Sequence, residues 1–275
     1  MNNFYIWQNH VLNVDSNTHE NGVSHNDIIV SQFTKQAIPF SQMAQHSNHY
    51  GLDLMFEMSL PQIDDKVLDV ACGPGIIACE FANKVNHVTG IDITPAMIEE
   101  AKNLQIERKL SNIDWKVGDV ARLPFGDDSF SLVVTRYSFH HLIEPKQVLE
   151  EMKRVCKPKG KIFIIDVTPD KNKVEAYNQV EKLRDSSHTG AMTFDMLRGL
   201  MHEAGLTNLK SRHHELEMGL ESILESSFPN PEDIPKIRQL FKIDITLDNL
   251  GMKSHLKNGE IFFYFPISMI LGIKS

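Results

Sequence analysis

The chain repeatedly sets an acid at the end of a short apolar run, and chemistry can begin at those acids. Val67-Leu68-Asp69-Val70-Ala71-Cys72-Gly73-Pro74-Gly75 carries the first of them. A strand that turns through two glycines leaves a gap at its tip, where a ligand can lie against main chain that a Cβ would otherwise cover. Asp69 puts a carboxylate at the mouth of that gap. Asp92, seventeen residues beyond Gly75, ends a second run where a ribose diol would lie. Asp119, in Val117-Gly118-Asp119-Val120, ends a third, and Arg136-Tyr137 follow a fourth. His140 and His141 come next, and an imidazole titrates near neutrality and can take a proton from an acceptor.

Two ligands suit such a turn. Gly73-Pro74-Gly75-Ile76-Ile77-Ala78 satisfies the dinucleotide pattern G-x-G-x-x-A, a weak signal when it stands alone. Three features favour S-adenosylmethionine over a nicotinamide dinucleotide. Asp69 precedes the first glycine by four residues, so it can receive the cationic amino group of a methionine moiety and would repel a pyrophosphate. Asp119 can accept a hydrogen bond from an adenine amino group. The late apolar run suits a sheet closed by a final strand, and no second substrate domain of the dehydrogenase kind follows. Asp92 facing two hydroxyls would form charge-assisted hydrogen bonds, the strong kind. Ala71, Cys72, Gly73, Gly75, Ile93, Met97, Gly118 and Val120 complete the expected cofactor contacts, and Arg136 borders the methionine end.

Four segments occur in a telling order: the stretch from Val67 to Gly75, Gly90-Ile91-Asp92-Ile93-Thr94, Gly118-Asp119-Val120-Ala121-Arg122-Leu123-Pro124-Phe125, and Phe139-His140-His141-Leu142. Together they resemble the class I S-adenosylmethionine-dependent methyltransferases of the type 11 group, similar to the ubiquinone/menaquinone C-methyltransferases. The resemblance covers residues 46–214 well and the last strand more loosely. It implies methyl transfer to an acceptor with release of S-adenosylhomocysteine, and seven strands of which the last is antiparallel. It places His140 and His141 beside the active site without giving either a fixed role. His141 is the first choice for a base, with His140 behind it.

Composition narrows the partners. A formal net charge of −8 disfavours nucleic acid, since phosphate binding needs a basic face. Cys72, Cys79 and Cys156 lack zinc-site spacing and the thirteen histidines form no H-x-x-x-H pair, so no metal is expected. One acid after the fifth strand, Asp166, is too little to support a metal-assisted transfer. The odd cysteine count and the lack of a leader pattern point to a reduced, cytoplasmic protein. The longest apolar stretch, 261–273, contains Pro266 and falls short of the roughly 20 residues a bilayer span needs. The acceptor expected is therefore a small or medium organic molecule.

These residues need a scaffold that gathers strand ends. Runs at 66–70, 87–91, 113–117, 131–135 and 161–167 are rich in β-branched residues, as buried parallel strands are. Helical patterns lie between them. Thr94-Pro95 reads as an N-cap with proline at the first helical position, followed by Met97, Ala101 and Leu104 on one face. Val148, Leu149, Met152, Val155 and Cys156 form another stripe, with Pro158 as its stop, and Leu197, Leu200, Met201 and Ala204 a third, stopped by Gly205. Alternating units of this kind give an α/β fold: a doubly wound Rossmann-like sheet, mostly parallel, with ligands beyond its carboxyl edge.

Three stretches lie outside this alternation. Residues 1–45 read as an N-terminal extension, partly loop or lid, with 8–27 as loop and Phe4-Tyr5-Ile6-Trp7 docking on the body. The remainder, 46–275, reads as the cofactor-binding domain. Within it, 168–191 and 215–258, the latter with Pro229, Pro231 and Pro235, read as insertions that cap the active site. Tyr137, with Arg184 and His188 from the first insertion, are the candidate acceptor contacts. His213 and His214 fall late in a strand and are not read as metal ligands.

Overall fold

Apolar runs without alternation become strands covered on both faces. β1 (Lys66–Val70) is buried from Val67 onward, with Val67 packed into one apolar layer and Leu68 into the other. The computed structural model describes residues 22–45 and 49–275; the aromatic Phe4–Trp7 segment lies outside them. Helices α1 (His25–Gln45) and α2 (His49–Ser59) precede β1. Then follow α3 (Ile76–Ala82), β2 (His87–Asp92), α4 (Pro95–Glu107), β3 (Ile113–Val117), β4 (Phe130–Arg136), a 3-10 turn at Phe139–His141, α5 (Pro145–Val155) and β5 (Cys156–Val167). The last third holds α6 (Val174–Arg184), α7 (Phe194–Glu203), β6 (Thr207–Gly219), α8 (Leu220–Ser227), α9 (Ile234–Leu247), β7 (His255–Lys257) and β8 (Glu260–Ile273).

The strand order is β3-β2-β1-β4-β5-β8-β6, and β7 pairs with β8. β1 runs parallel to both β2 and β4, so the order reverses there and a crevice opens beyond their carboxyl ends. β8 lies antiparallel between β5 and β6, the expected reversal. The described sheet has eight strands rather than seven, because the short β7 folds back on β8 through a turn at Asn258-Gly259. No helix among the described residues is long and apolar enough to cross a membrane.

Both expected insertions carry helices with buried faces. In the first, Tyr177 and Val180 of α6 are fully buried. In the second, β6 runs on to Gly219, α8 follows, and Ile237 and Phe241 of α9 join the same apolar layer as Tyr177. The cluster of prolines disguised α9, yet Pro235 sits in its first turn, where a missing N–H costs nothing. The fifth strand also starts earlier than expected. α5 ends at Val155, Cys156 already pairs with Phe130, and a register shift absorbs Pro158 and left-handed Lys159 before Lys161 meets Leu132.

The N-terminal loop ends sooner than expected, because α1 starts at His25. Its signal is the run Ser24-His25-Asn26-Asp27, a capping box in which Asp27 Oδ2 accepts from Ser24 N at 3.1 Å and Ser24 Oγ accepts from Asp27 N at 3.2 Å. At the entry to α4, Thr94 caps no helix N–H with its side chain. The Asp92 carboxylate instead fixes the residue before the helix, accepting from Thr94 N at 2.8 Å.

Gly75 joins β1 to α3 at φ 78°, and a Cβ there would lie 2.5 Å from Trp115 Cη2 and 2.8 Å from Ala101 Cβ. Gly75→Ala is expected to lower unfolding free energy by about 2–4 kcal/mol through left-handed strain and overpacking, as read by urea denaturation. A loss below about 0.5 kcal/mol would mean that α3 and α4 shift freely against the turn.

Candidate cofactor and acceptor site

Backbone strain and one bare glycine shape the tip of β1. Ala71, Gly73 and Gly75 are all left-handed, at φ 53°, 53° and 78°. The two glycines do different work. Gly75 is required by Trp115 and Ala101, whereas a Cβ on Gly73 would meet nothing within 4 Å. Only Gly73 leaves its main chain open to the cavity, and Gly75 does not line it. Gly118 also stands back, pressed on Ile91, whose Cδ1 would lie 3.1 Å from an added Cβ.

The other expected cofactor residues do converge. Asp69, Ala71, Cys72, Gly73, Asp92, Ile93, Met97, Asp119, Val120 and Arg136 line one chamber at the carboxyl edge of the sheet. The chamber is concave and opens to solvent at its mouth, with apolar side chains making most of its wall. Asp69 is 1% exposed and its Oδ2 has no hydrogen-bond partner among the described residues. Burial pushes its carboxyl up to about 7, against the pull of the Arg136 charge. Asp92 Oδ2 accepts from Gly73 N at 2.9 Å while Oδ1 accepts from Thr94 N, so each oxygen keeps a lone pair. Asp119 lies two residues beyond β3, accepting from Ala121 N at 2.8 Å and from Asn26 Nδ2 at 2.9 Å.

These groups fit S-adenosylmethionine. The orphaned Asp69 oxygen suits its ammonium, the bare Gly73 backbone its methionine chain, and Asp92 its ribose hydroxyls. Sequence reasoning missed the fourth wall. Asn26, Ile29, Phe33 and Phe40 of α1 roof the chamber, and their i, i+4 and i, i+7 spacing was the available signal. They stand in the stretch set aside as an extension.

A second chamber adjoins the first through shared Phe33, Phe40, Arg136, Tyr137 and His141. Leu216, Met218, Ile223, Phe265 and Ile267 give it apolar walls. Tyr137 sits at the border in a left-handed conformation, φ 57°, with the Arg136 guanidinium 4.8 Å over its ring. Arg184 reaches this chamber but is pinned to Glu181 by bonds of 3.0 and 2.6 Å. His188 does not line it. Its Nε2 bonds Asn178 Oδ1 at 2.8 Å, and burial with the neighbouring His140 pushes it down to about 2.

The histidine pair divides. His140 lines the second chamber alone and donates from Nδ1 to Asp166 Oδ1 at 2.6 Å. Asp166 also accepts from Phe139 N at 2.6 Å and Val167 N at 2.7 Å. His141 touches both chambers and donates from Nδ1 toward Ser187 O and Oγ, each at 3.1 Å. Burial and the adjacent His140 push His141 down to about 4, so it is neutral near pH 7 and a weak base. Among the described residues no group of three or more His, Cys, Asp or Glu side chains is placed to hold a metal.

Asp69 gives a pH signature. Its folded carboxyl titrates near 7 against an ordinary 3.8, so its stabilising contribution is full below about pH 4 and is lost as pH rises through about 7. Asp69→Asn is expected to be more stable than the parent at pH 8 by roughly 1–3 kcal/mol and equal to it at about pH 4, by urea unfolding. Equal stability at both would show that solvent reaches the carboxylate.

Residues 68–164 match the methyltransferase domain family. YcgJ, an uncharacterized methyltransferase of Bacillus subtilis, is 30% identical over 158 residues, 57% of this chain and 62% of YcgJ. The crystal structure of the YcgJ protein superposes with a TM-score of 0.76 at 24% identity, covering 82% of this chain and 99% of that one. A demethylmenaquinone methyltransferase of Thermotoga maritima is 34% identical over 119 residues, 42% of this chain and 50% of the relative. Phosphoethanolamine N-methyltransferase 2 of Haemonchus contortus, solved with S-adenosylmethionine, shares the fold at TM-score 0.66 and 14% identity, over 92% of this chain and 60% of that one. The chain spans between half and about three fifths of the length of these curated relatives. Domain and residues together indicate S-adenosylmethionine as the cofactor. Residues 68–164 thus carry the match to the methyltransferase domain family, on a Rossmann-like fold shared with solved methyltransferases.

Proposed function

We propose that the chain transfers a methyl group from S-adenosylmethionine to a small or medium organic acceptor that enters the second chamber. The observation that carries this is the buried Asp69 with its unpartnered oxygen, set beside Asp92 and the bare Gly73 backbone at the tips of β1 and β2. A cation is the ligand that repairs such a group, and the cofactor's ammonium is one. When bound, the cofactor supplies an electrophilic methyl on a sulfonium, a good leaving group that needs no covalent activation.

The protein's own work is then orientation and exclusion of water. Asp69 holds the ammonium and Asp92 the ribose hydroxyls. Met97 and Val120 offer apolar surface to the adenine, with Asp119 at its edge. Phe33 and Phe40 roof both chambers. Arg136, Tyr137 and His141 stand where the chambers meet, so the acceptor approaches the methyl there, with Arg184 bordering its far end.

Asp92→Asn is expected to weaken S-adenosylmethionine binding by about 1–3 kcal/mol in calorimetry, since charged hydrogen bonds to the ribose are lost. Unchanged affinity would remove the ribose contact. Release of S-adenosylhomocysteine is expected with an acceptor drawn from a panel of phenols, amines and carbon acids. Tight cofactor binding with no turnover on any of them would overturn the enzyme reading and leave a cofactor-binding protein.

A further inference from the structure

The second chamber is charged, yet most of its charges are spent on one another. Arg184 is held by Glu181, and both are buried. Asp185 accepts from Ser187 N at 2.9 Å, Ser187 Oγ at 2.5 Å and Gln36 Nε2 at 3.2 Å. Asp166 is taken by His140 and two backbone N–H groups. Arg136, at the border, makes no ion pair among the described residues and lies over the Tyr137 ring. Inside the chamber the carboxylates and Arg184 are already paired, so a charged acceptor would lose water there for little return. The remaining wall is aliphatic and aromatic.

His140 and Tyr177, which line this chamber and not the first, each leave a polar atom unspent. His140 Nε2 makes no hydrogen bond among the described residues, although its other nitrogen is fixed by Asp166. The Tyr177 hydroxyl is fully buried on the same chamber without a partner, and burial keeps it protonated and able to donate. Unpaired polar groups in an apolar wall mark where a ligand supplies the missing partner. A His whose Nδ1–H is bonded to a carboxylate presents Nε2 as a proton acceptor and has its cationic form stabilised after the transfer.

We propose that His140, oriented by Asp166, is the general base of this site, and that the acceptor is an uncharged, largely apolar molecule presenting an acidic hydroxyl, a phenol or enol, to His140 Nε2. This rests on the methyltransferase reading. The hydroxyl proton passes to Nε2 and the freed oxygen pair forms the O–CH3 bond. The CH3–S bond breaks with its electrons going to sulfur, which leaves as a neutral thioether. His140 then returns the proton to water. Tyr177 donates to a second oxygen of the acceptor.

The neighbouring imidazoles are poorer candidates. His141 has Nδ1 on Ser187 and is held neutral, and His188 stands behind the chamber wall on Asn178. The groups facing His140 are His141 on the same turn, Asp166 of β5, Glu181 of α6, and Asp185 and His188 after it. Burial works against its cation, but Asp166, Glu181 and Asp185 together outweigh burial and leave His140 above its ordinary value.

The test uses para-nitrophenol, whose phenolate is yellow and whose neutral form is colourless, added to the full chain without cofactor at a pH below the pKa of the free probe. The parent protein is expected to bind it as phenolate. His140→Gln is expected to bind it within about threefold as tightly and to leave it colourless. Asp166→Asn is expected to need a higher pH for the same colour, a shift that lost packing alone would not produce. Colourless bound probe in the parent, yellow probe in His140→Gln, or no binding to the parent would each overturn the proposal. If His140→Gln fails a thermal-unfolding check, imidazole nitrogen NMR of the parent decides, at a pH where the signal without probe shows His140 Nε2 unprotonated: protonation of Nε2 on adding probe supports the transfer, and an unchanged signal overturns it. With cofactor and a phenolic acceptor, kcat of His140→Gln should fall about 100-fold or more while cofactor affinity stays within about twofold. Calorimetry with S-adenosylmethionine separates the two failures. Absent cofactor binding ends the methyltransferase reading whatever the colour, and normal cofactor binding with a colourless probe ends only the base.

Discussion

The site depends on the bond between a side chain of one strand tip and the backbone of another. Asp92, at the end of β2, accepts from Gly73 N in the turn after β1 and from Thr94 N at the start of α4. That carboxylate fixes the glycine turn against the neighbouring strand and starts the helix that carries Met97. It also explains how Ala71 can stay left-handed, since a turn tied at both ends resists relaxation. The first chamber is therefore held by protein–protein hydrogen bonds before any ligand arrives, which is what preorganisation requires.

α1 adds a constraint of another kind. It covers both chambers with Phe33 and Phe40, but its ties are polar. His25 Nε2 donates to His141 O at 2.8 Å, Asn26 to Asp119, and Gln32 Nε2 to Ser227 O at 2.5 Å. Gln36 Nε2 bridges Ser227 O and Asp185, each at 3.2 Å. One helix thus spans the cofactor wall and the acceptor wall, and these partners come from four separate parts of the chain. The two chambers therefore share one roofing helix, with Pro39 lying inside it between Phe33 and Phe40.

Electrostatics separates three imidazoles that lie within a few ångströms of one another. The rings of His140 and His141 are 4.2 Å apart and those of His140 and His188 are 5.5 Å apart. All three are buried, and burial disfavours each cation. Of the three rings only that of His140 bonds Asp166, so the charge that the cluster can hold is concentrated there and the other two are driven neutral. Pair repulsion and one carboxylate partner, more than the residue type, set which ring can carry a proton.

The sequence by itself determined the parallel half of the sheet and most of the cofactor wall. β1 and β3 coincide with the runs read from β-branched residues, and Asp69, Gly73, Asp92 and Arg136 meet at the carboxyl edge because strand ends in a doubly wound sheet share one edge. Those signals are local, carried by composition and turn residues within a few positions. Tertiary structure decided the rest. Gly75 answers to Trp115, forty residues away, and only packing distinguishes it from Gly73. α6 and α9 became core because their apolar faces found each other across the prolines. His140 gained Asp166, twenty-six residues on, through the register of β4 against β5, and α1 returned over both chambers. Such pairings depend on chain crossing in space, and spacing along a sequence does not encode them.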